Sequence, residues 1–174
     1  MLNNKVPIPA SYWVIRGKFL AGEYPGSRDE IEAHQRIGAL LHAGIDTFID
    51  LTHEGERPPY LSLLTEEAVS LDRRVHYQRF PFPDFGIPPR AAMQAALDAV
   101  DAALSQGGRI YLHCVGGIGR TGMTVGCYLV RHGQGGPQAL SKLASLYRNA
   151  AQSAVFPHSP ENQRQIAFIL EWKE

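Results

Sequence analysis

The chain has 174 residues, of which 44% are hydrophobic and 20% charged, which suits one well-packed domain over residues 1–174 and is too short for two. Lys and Arg total 17, as do Asp and Glu, so no broad basic field points to nucleic acid or an anionic membrane as the main partner. Residues 1–9 lack the apolar core of a signal peptide and no stretch suits a membrane span, so we expect a soluble, cytoplasmic protein.

The first quarter of the chain predicts two strands and a helix. Two short strands are expected within residues 12–22, on either side of a turn. Ser27 stands three residues before Glu30, which is the spacing of a capping box, and it predicts the start of a helix that ends near Gly44. The apolar stripe of this helix is expected to consist of Ile31, Ile37, Leu40 and Leu41.

Strand and helix signals alternate in the next segment. Residues 45–52 are rich in β-forming residues and predict a buried strand that is followed by a polar loop. A short helix is expected over 61–71 and a strand over 75–80. This strand leads into a proline-rich loop over 81–89 that contains Asp84.

The second half of the chain predicts one more strand and four helices. Residues 90–106 are alanine-rich with apolar residues at helical spacing, so Met93 is expected in the core. The later elements are a strand over 109–113, a helix to about 132, a helix over 137–149 and a last helix with Ser159 as its N-cap. The alternation predicts an α/β fold with a mostly parallel central sheet flanked by helices.

The strand over 109–113 runs into a glycine-rich loop with a cysteine at one end and an arginine at the other. Glycine lets the loop curl its amide N–H groups toward one point, and the helix that opens near Arg120 adds the positive end of its dipole. Both effects favour the thiolate of Cys114 and the binding of a dianion, and the fork of Arg120 can grip two phosphoryl oxygens. The predicted phosphate-binding residues are Val115, Gly116, Gly117, Ile118, Gly119 and Arg120.

Four other interpretations of this loop fit the residues less well. Residues 117–122 match a dinucleotide-binding fingerprint, but 138–144 is helical and lacks the acidic residue that such a fold needs. A Walker-type loop would need glycine at Cys114 and lysine at Arg120. A zinc site would need more ligands than Cys114 and Cys127. The fourth interpretation, a cysteine that only packs in the core, does not explain the four neighbouring glycines. We therefore expect no metal and no cofactor.

The pattern of Cys, five residues and Arg-Thr-Gly, with His113 before the cysteine, resembles the signature of the protein tyrosine phosphatase superfamily. Residues 19–25 resemble the opening segment of small dual-specificity phosphatases. Residues 82–85 resemble the mobile acid loop of the family, with phenylalanine where many members have tryptophan. The resemblance extends from about residue 19 to 163, is greatest to the atypical dual-specificity phosphatases, and implies a protein tyrosine phosphatase-like fold.

The resemblance also implies a reaction in two steps. Cys114 attacks phosphorus while Asp84 protonates the leaving oxygen, and water then hydrolyses the phosphocysteine with Asp84 as base. Thr121 is expected to hydrogen-bond the Cys114 sulfur, to cap the helix, or both. Gln163 is expected to orient the water, with Gln165 as the alternative residue.

Three further residues have more than one interpretation. Asp50 competes with Asp84 for the acid role, but its place inside an apolar strand indicates a buried hydrogen bond. Cys127 is expected to pack in the core, with a protective disulfide to the nucleophile as the alternative. His113 either tunes the thiolate or satisfies backbone groups.

The expected function is the dephosphorylation of phosphotyrosine, and of phosphoserine and phosphothreonine, on a protein or peptide by a monomer. A chain of this length has little room for the elements that deepen the pocket of larger tyrosine-specific members. The first alternative is a phosphoinositide phosphatase, although relatives of that kind carry lysines in the loop and residues 115–119 are uncharged here. The second is an inactive phosphate-binding module, which usually lacks the nucleophile, the arginine or the acid.

Overall fold

The computed structural model describes residues 5–174. Residues 1–4 belong to the predicted domain and to the start that was predicted to lack a signal peptide, and they lie outside the described residues. In chain order, the elements are β1 (Ser11–Ile15), β2 (Phe19–Gly22), α1 (Glu30–His42), β3 (Thr47–Asp50), α2 (Leu61–Ser70), β4 (His76–Arg79), α3 (Arg90–Ser105), β5 (Ile110–His113), α4 (Gly119–Arg131), α5 (Gly136–Tyr147) and α6 (Gln163–Leu170). A short 3₁₀ turn at Ala151–Ala154, which was not predicted, connects the last two helices.

The five strands form one sheet in the order β1-β2-β5-β3-β4. Only β1 and β2 pair antiparallel, and the other pairs are parallel. The register aligns the last residues of four strands in one row, namely Gly22, His113, Asp50 and Arg79. The predicted α/β fold with a mostly parallel sheet is confirmed, and the row marks the edge at which the loops of the site begin.

Helices cover both faces of the sheet, and the three inner strands β2, β5 and β3 are buried throughout, whereas the edge strand β4 alternates exposed and half-buried residues. In the central strand β5, Ile110 and Leu112 belong to the hydrophobic core that includes residues of α3, α4, α5 and α6, whereas Tyr111 belongs to the core on the other face, with residues of α1 and α2. This alternation follows from the period of two residues along a strand. Met93 is fully buried, as predicted. Within residues 5–174, none of the helices is both long and apolar enough to cross a membrane.

The start of α1 differs from the prediction. Asp29 is the N-cap, and its side chain accepts a hydrogen bond from the Glu32 backbone N–H at 3.1 Å. Ser27 lies two residues before this cap, and its hydroxyl instead donates to the Glu32 carboxylate at 2.6 Å. Ile31 is 71% exposed and does not join the predicted stripe, whose other three members are buried.

The last helix also begins later than predicted. Its N-cap is Asn162, which accepts from the Gln165 backbone N–H at 3.1 Å. Ser159 is not a cap, because its hydroxyl donates to the Ile118 carbonyl at 2.7 Å and so ties this segment to the loop before α4. The C-terminal segment therefore contacts the predicted phosphate-binding loop directly.

Candidate active site

Cys114 follows the last residue of β5 directly, and Arg120 is the second residue of α4. Both side chains are buried, with exposed fractions of 3% and 1%. The loop between them packs on the end of β2, because the Tyr24 N–H donates to the Val115 carbonyl at 2.9 Å. Gly117 has φ +70°, and a Cβ there would lie 2.6 Å from the Gly22 oxygen, so only glycine suits this position.

Arg120 is held in place by two carboxylates and a carbonyl. Its two Nη atoms donate to the two carboxylate oxygens of Glu56 at 2.9 and 2.5 Å, and Nη2 lies 3.2 Å from the Asp84 carboxylate. Nη1 also donates to the Phe82 carbonyl at 3.3 Å. The remaining donor, Nε, is buried and has no hydrogen-bond partner among residues 5–174. A buried, unpaired guanidinium N–H is the donor that an oxyanion in this cavity would need.

Glu56 was not predicted from the sequence. It lies in the polar loop after β3, the strand next to β5 in the sheet. The hydrogen bonds from Arg120 hold the pKa of the Glu56 carboxyl below its usual range, although burial opposes this shift. Because the carboxyl ends of adjacent parallel strands meet at one edge, this loop could have been assigned to the site. Nothing in the sequence distinguishes Glu56 from Glu54 for the contact with Arg120.

Asp84 lies at the site, as the sequence predicted. Its side chain is 53% exposed and forms the contact with Arg120 described above. The next residue, Phe85, has φ +54°, and its carbonyl accepts a hydrogen bond from Asn162 Nδ2 at 3.0 Å. Gln165 Nε2 donates to the Gly86 carbonyl at 3.4 Å. The C-terminal segment therefore holds the Asp84 loop as well as the loop that follows Cys114.

A network of buried polar groups lies beside Cys114. The Nδ1 atom of His113 is 3.1 Å from the Cys114 carbonyl, which can only accept, so Nδ1 carries the proton and Nε2 accepts from Tyr60 at 2.6 Å. Burial lowers the pKa of His113, although Asp50, 3.9 Å away, opposes this shift. The imidazole is therefore neutral near pH 7 and holds the backbone of the nucleophile.

Asp50 is the acidic member of this network. Its carboxylate is fully buried and accepts from the Thr52 N–H at 2.8 Å and from the Tyr77 hydroxyl at 2.7 Å. Burial opposes its ionisation, but His113 and these hydrogen bonds together hold the pKa of Asp50 below its ordinary value. It does not line the cavity, in agreement with the prediction of a buried hydrogen bond.

The remaining predicted residues occupy different positions. The Thr121 hydroxyl is buried without a hydrogen-bond partner in the described part of the chain, so neither the bond to the sulfur nor the helix cap is formed. Gln163 is exposed and lies outside the cavity, whereas Gln165 is buried and accepts from the Glu161 N–H at 3.1 Å. Cys127 is a buried free thiol whose pKa is raised by burial, so it packs in the core and forms no disulfide with Cys114.

Cys114, Arg120 and Asp84 line one cavity of about 530 Å³, which is partly open to solvent. Its lining consists of Asp84, Phe85, Cys114, Val115, Gly116, Ile118, Gly119, Arg120, Phe156, Pro157, His158 and Glu161. Four of the predicted loop residues and Arg120 are in this set, while Gly117 packs against β2 instead. Residues 5–174 contain no group of three or more His, Cys, Asp or Glu side chains that could hold a metal ion.

Comparisons with known proteins agree with this geometry. A family model described as "Polymorphic toxin system, DSP-PTPase phosphatase" matches residues 24–134. Among curated proteins, the chain is 31% identical over 127 residues to protein tyrosine phosphatase domain-containing protein 1 of Mus musculus, covering 69% of this chain and 17% of that protein. It is 32% identical over 127 residues to the dual specificity protein phosphatase CDC14B of Mus musculus, covering 69% and 24%.

The chain thus spans less than a quarter of the length of these two relatives. A crystal structure of Tk-PTP in the active form is similar to this structure with a TM-score of 0.72 at 20% identity, covering 94% of this chain and 97% of the other. At this level of identity, the likeness shows the fold alone.

Proposed function

Because the chain belongs to the protein tyrosine phosphatase superfamily, in its dual-specificity group, we propose that it is a cysteine-dependent phosphomonoester hydrolase. We also propose that residues 1–174 form one catalytic domain. The observation that carries the proposal is the buried Nε of Arg120, which has no partner among the described residues and belongs to a side chain that lines the cavity together with Cys114. A phosphoryl oxygen would satisfy this donor, since charged donors form strong hydrogen bonds to phosphate.

The proposed first step transfers the phosphoryl group to the cysteine. The Cys114 thiolate attacks phosphorus in line, the bond from phosphorus to the ester oxygen breaks, and Asp84 gives its proton to that oxygen. Arg120 Nε and the loop N–H groups stabilise the charge that develops on the other oxygens. Glu56 holds the Nη side of the guanidinium, so that the Nε side is left for the substrate.

The proposed substrates are phosphotyrosine and phosphoserine or phosphothreonine on a protein or peptide. The cavity is partly open to solvent, which supports this breadth, because an open site does not select one side-chain length. Phosphoinositides are the alternative, but residues 115–119 carry no charge that could hold additional phosphates. We further propose a monomer in the cytoplasm, where a reducing environment would keep the Cys114 thiol usable.

Hydrolysis of 4-nitrophenyl phosphate tests the proposal. We expect turnover that vanadate inhibits, that a metal chelator leaves unchanged and that Cys114→Ser abolishes. Cys127→Ser is the matched control and should retain turnover, because its thiol lies outside the cavity. A binding module would hold phosphopeptides without turnover, and activity that survives in Cys114→Ser would contradict the mechanism. Profiling against phosphopeptides and inositol phosphates would then separate the two substrate classes.

A further inference from the structure

Glu161 is a second carboxylate in the cavity, and neither the sequence analysis nor the reaction described so far gives it a role. It lines the cavity together with Cys114, Asp84 and Arg120. Its carboxylate packs directly against Gly119 of the phosphate-binding loop, where a methyl group on the glycine would overlap it. Glu161 is exposed overall, and its carboxylate therefore lies at the rim of the cavity, against the phosphate-binding loop.

The backbone around Glu161 is fixed at both ends. On one side, Ser159 donates to the Ile118 carbonyl of the loop at 2.7 Å. On the other, the Glu161 N–H donates to the buried side chain of Gln165 at 3.1 Å. Gln163, which the sequence favoured as the residue that orients water, projects from the same segment but is exposed outside the cavity.

The surroundings of Glu161 suit a group that accepts a proton. Burial raises the pKa of its carboxyl, Asp84 adds to the shift, and Arg120 opposes it. No Lys, Arg or His nitrogen among residues 5–174 lies within 4.0 Å of the Glu161 carboxylate, whereas the Asp84 carboxylate is 3.2 Å from Arg120. The Glu161 oxygens therefore have no cationic partner and can accept a hydrogen bond from water.

We propose that Glu161 is the catalytic base of the second step, which hydrolyses the phosphocysteine. This inference rests on the proposed phosphatase function. After the alcohol product has left, water enters from the open side of the cavity and attacks phosphorus opposite to the sulfur. The new bond from oxygen to phosphorus forms as the bond from sulfur to phosphorus breaks, its electron pair returns to Cys114 as thiolate, and the water proton passes to Glu161. Asp84 then serves the first step as acid, and Glu161 serves the second as base.

Rapid-quench kinetics with 4-nitrophenyl phosphate test whether Asp84 acts in the first step and Glu161 in the second. In Glu161→Gln, we expect a burst of nitrophenol with the wild-type rate constant, followed by steady-state turnover that is at least about 10-fold slower, because general-base catalysis typically contributes about 10²-fold or more. Phosphoenzyme, trapped by rapid denaturation, should then accumulate during turnover. Asp84→Asn should instead slow the burst itself and accumulate no phosphoenzyme. Glu171→Gln makes the same charge change at an exposed position of the same segment and should behave like wild type.

Three results would overturn the assignment. If Glu161→Gln shows no rise in phosphoenzyme and only a lower KM, the carboxylate merely repels the substrate. If Gln163→Ala, rather than Glu161→Gln, accumulates phosphoenzyme, the water is handled by the glutamine. If Asp84→Asn slows both steps while Glu161→Gln slows neither, Asp84 is the base. The absence of Cys114-dependent phosphoenzyme in every variant would refute the proposed function itself, which separates that failure from the others.

Discussion

Replacing Glu56 by glutamine removes one carboxylate from the pair that holds Arg120. The variant keeps one acceptor oxygen but places an amide N–H₂ against an Nη donor, so one charge-assisted hydrogen bond of about 1.5–3 kcal/mol is lost. Breaking a fully buried pair costs about 3–5 kcal/mol, but Glu56 is 23% exposed and Asp84 remains 3.2 Å from the guanidinium. We therefore expect a loss of about 2 kcal/mol in the free energy of unfolding, which is about 4–8 °C in Tm for a domain of this size.

The effect of Glu56→Gln on stability should depend on pH. Because the pKa of Glu56 is lowered in the folded chain, its stabilisation is complete above the ordinary carboxyl pKa and disappears as the pH falls through the lower folded value. The difference in Tm between wild type and variant should therefore be constant near pH 7 and should shrink below about pH 4. Thermal unfolding followed by circular dichroism from pH 3 to 8 measures this difference.

Catalysis should decline as well, since the Nε of Arg120 is useful only while Glu56 holds the other side of the guanidinium. We expect kcat/KM for 4-nitrophenyl phosphate to fall about 10-fold, less than the 10²–10³-fold typical of removing a donor outright. Glu54→Gln, in the same loop and exposed, is the matched control. If the two variants have the same Tm and the same kcat/KM, the view that Glu56 positions Arg120 is refuted.

Three other predictions follow from the site. Asp84→Asn should reduce turnover more for alkyl phosphates than for 4-nitrophenyl phosphate, because an acidic leaving group needs less protonation; equal losses would remove Asp84 from the acid role. Gly119→Ala should displace the Glu161 carboxylate and slow turnover in a chain that still folds. Gly38→Ala is the control, because a methyl group there meets open space, and this variant should be active and no less stable than wild type. Unchanged turnover in Gly119→Ala would contradict the packing of Glu161 on Gly119. Burial lowers the pKa of His113, so its contribution to stability is complete above about pH 6.5 and is lost as the pH falls below that value. The Tm of His113→Asn should therefore fall less than the wild-type Tm between pH 7 and 5. If both proteins lose the same Tm over this range, His113 is not the titrating group.

The sequence predicted those parts of the site that are local in the chain. Cys114 and Arg120 belong to one loop between a buried strand and a helix, so a short pattern specified both their chemistry and their proximity. Asp84 comes from a separate loop, 30 residues before the cysteine, and only the family resemblance assigned it to the site. The catalytic roles of all three residues remain predictions.

Glu56 and Glu161 were missed because both lie in irregular loops, from which Glu56 contacts Arg120 and Glu161 lines the cavity. Hydrophobic periodicity defines strands and helices but does not show how far a loop folds back over the sheet. The same limit explains the errors at helix starts, where Ser27 and Ser159 were chosen over Asp29 and Asn162. Each serine is a good capping residue, but its hydroxyl makes another contact, with Glu32 or Ile118, that sequence spacing does not reveal.

The row formed by Gly22, His113, Asp50 and Arg79 constrains how this scaffold can change. An insertion of one residue within a strand would reverse every later side chain between the two cores and would remove His113 or Asp50 from its partners. An insertion after the row changes only the length of a loop, because all these loops start at the same edge of the sheet. Substrate preference could therefore diversify by lengthening the loops after β3 and β4 while the nucleophile remains untouched.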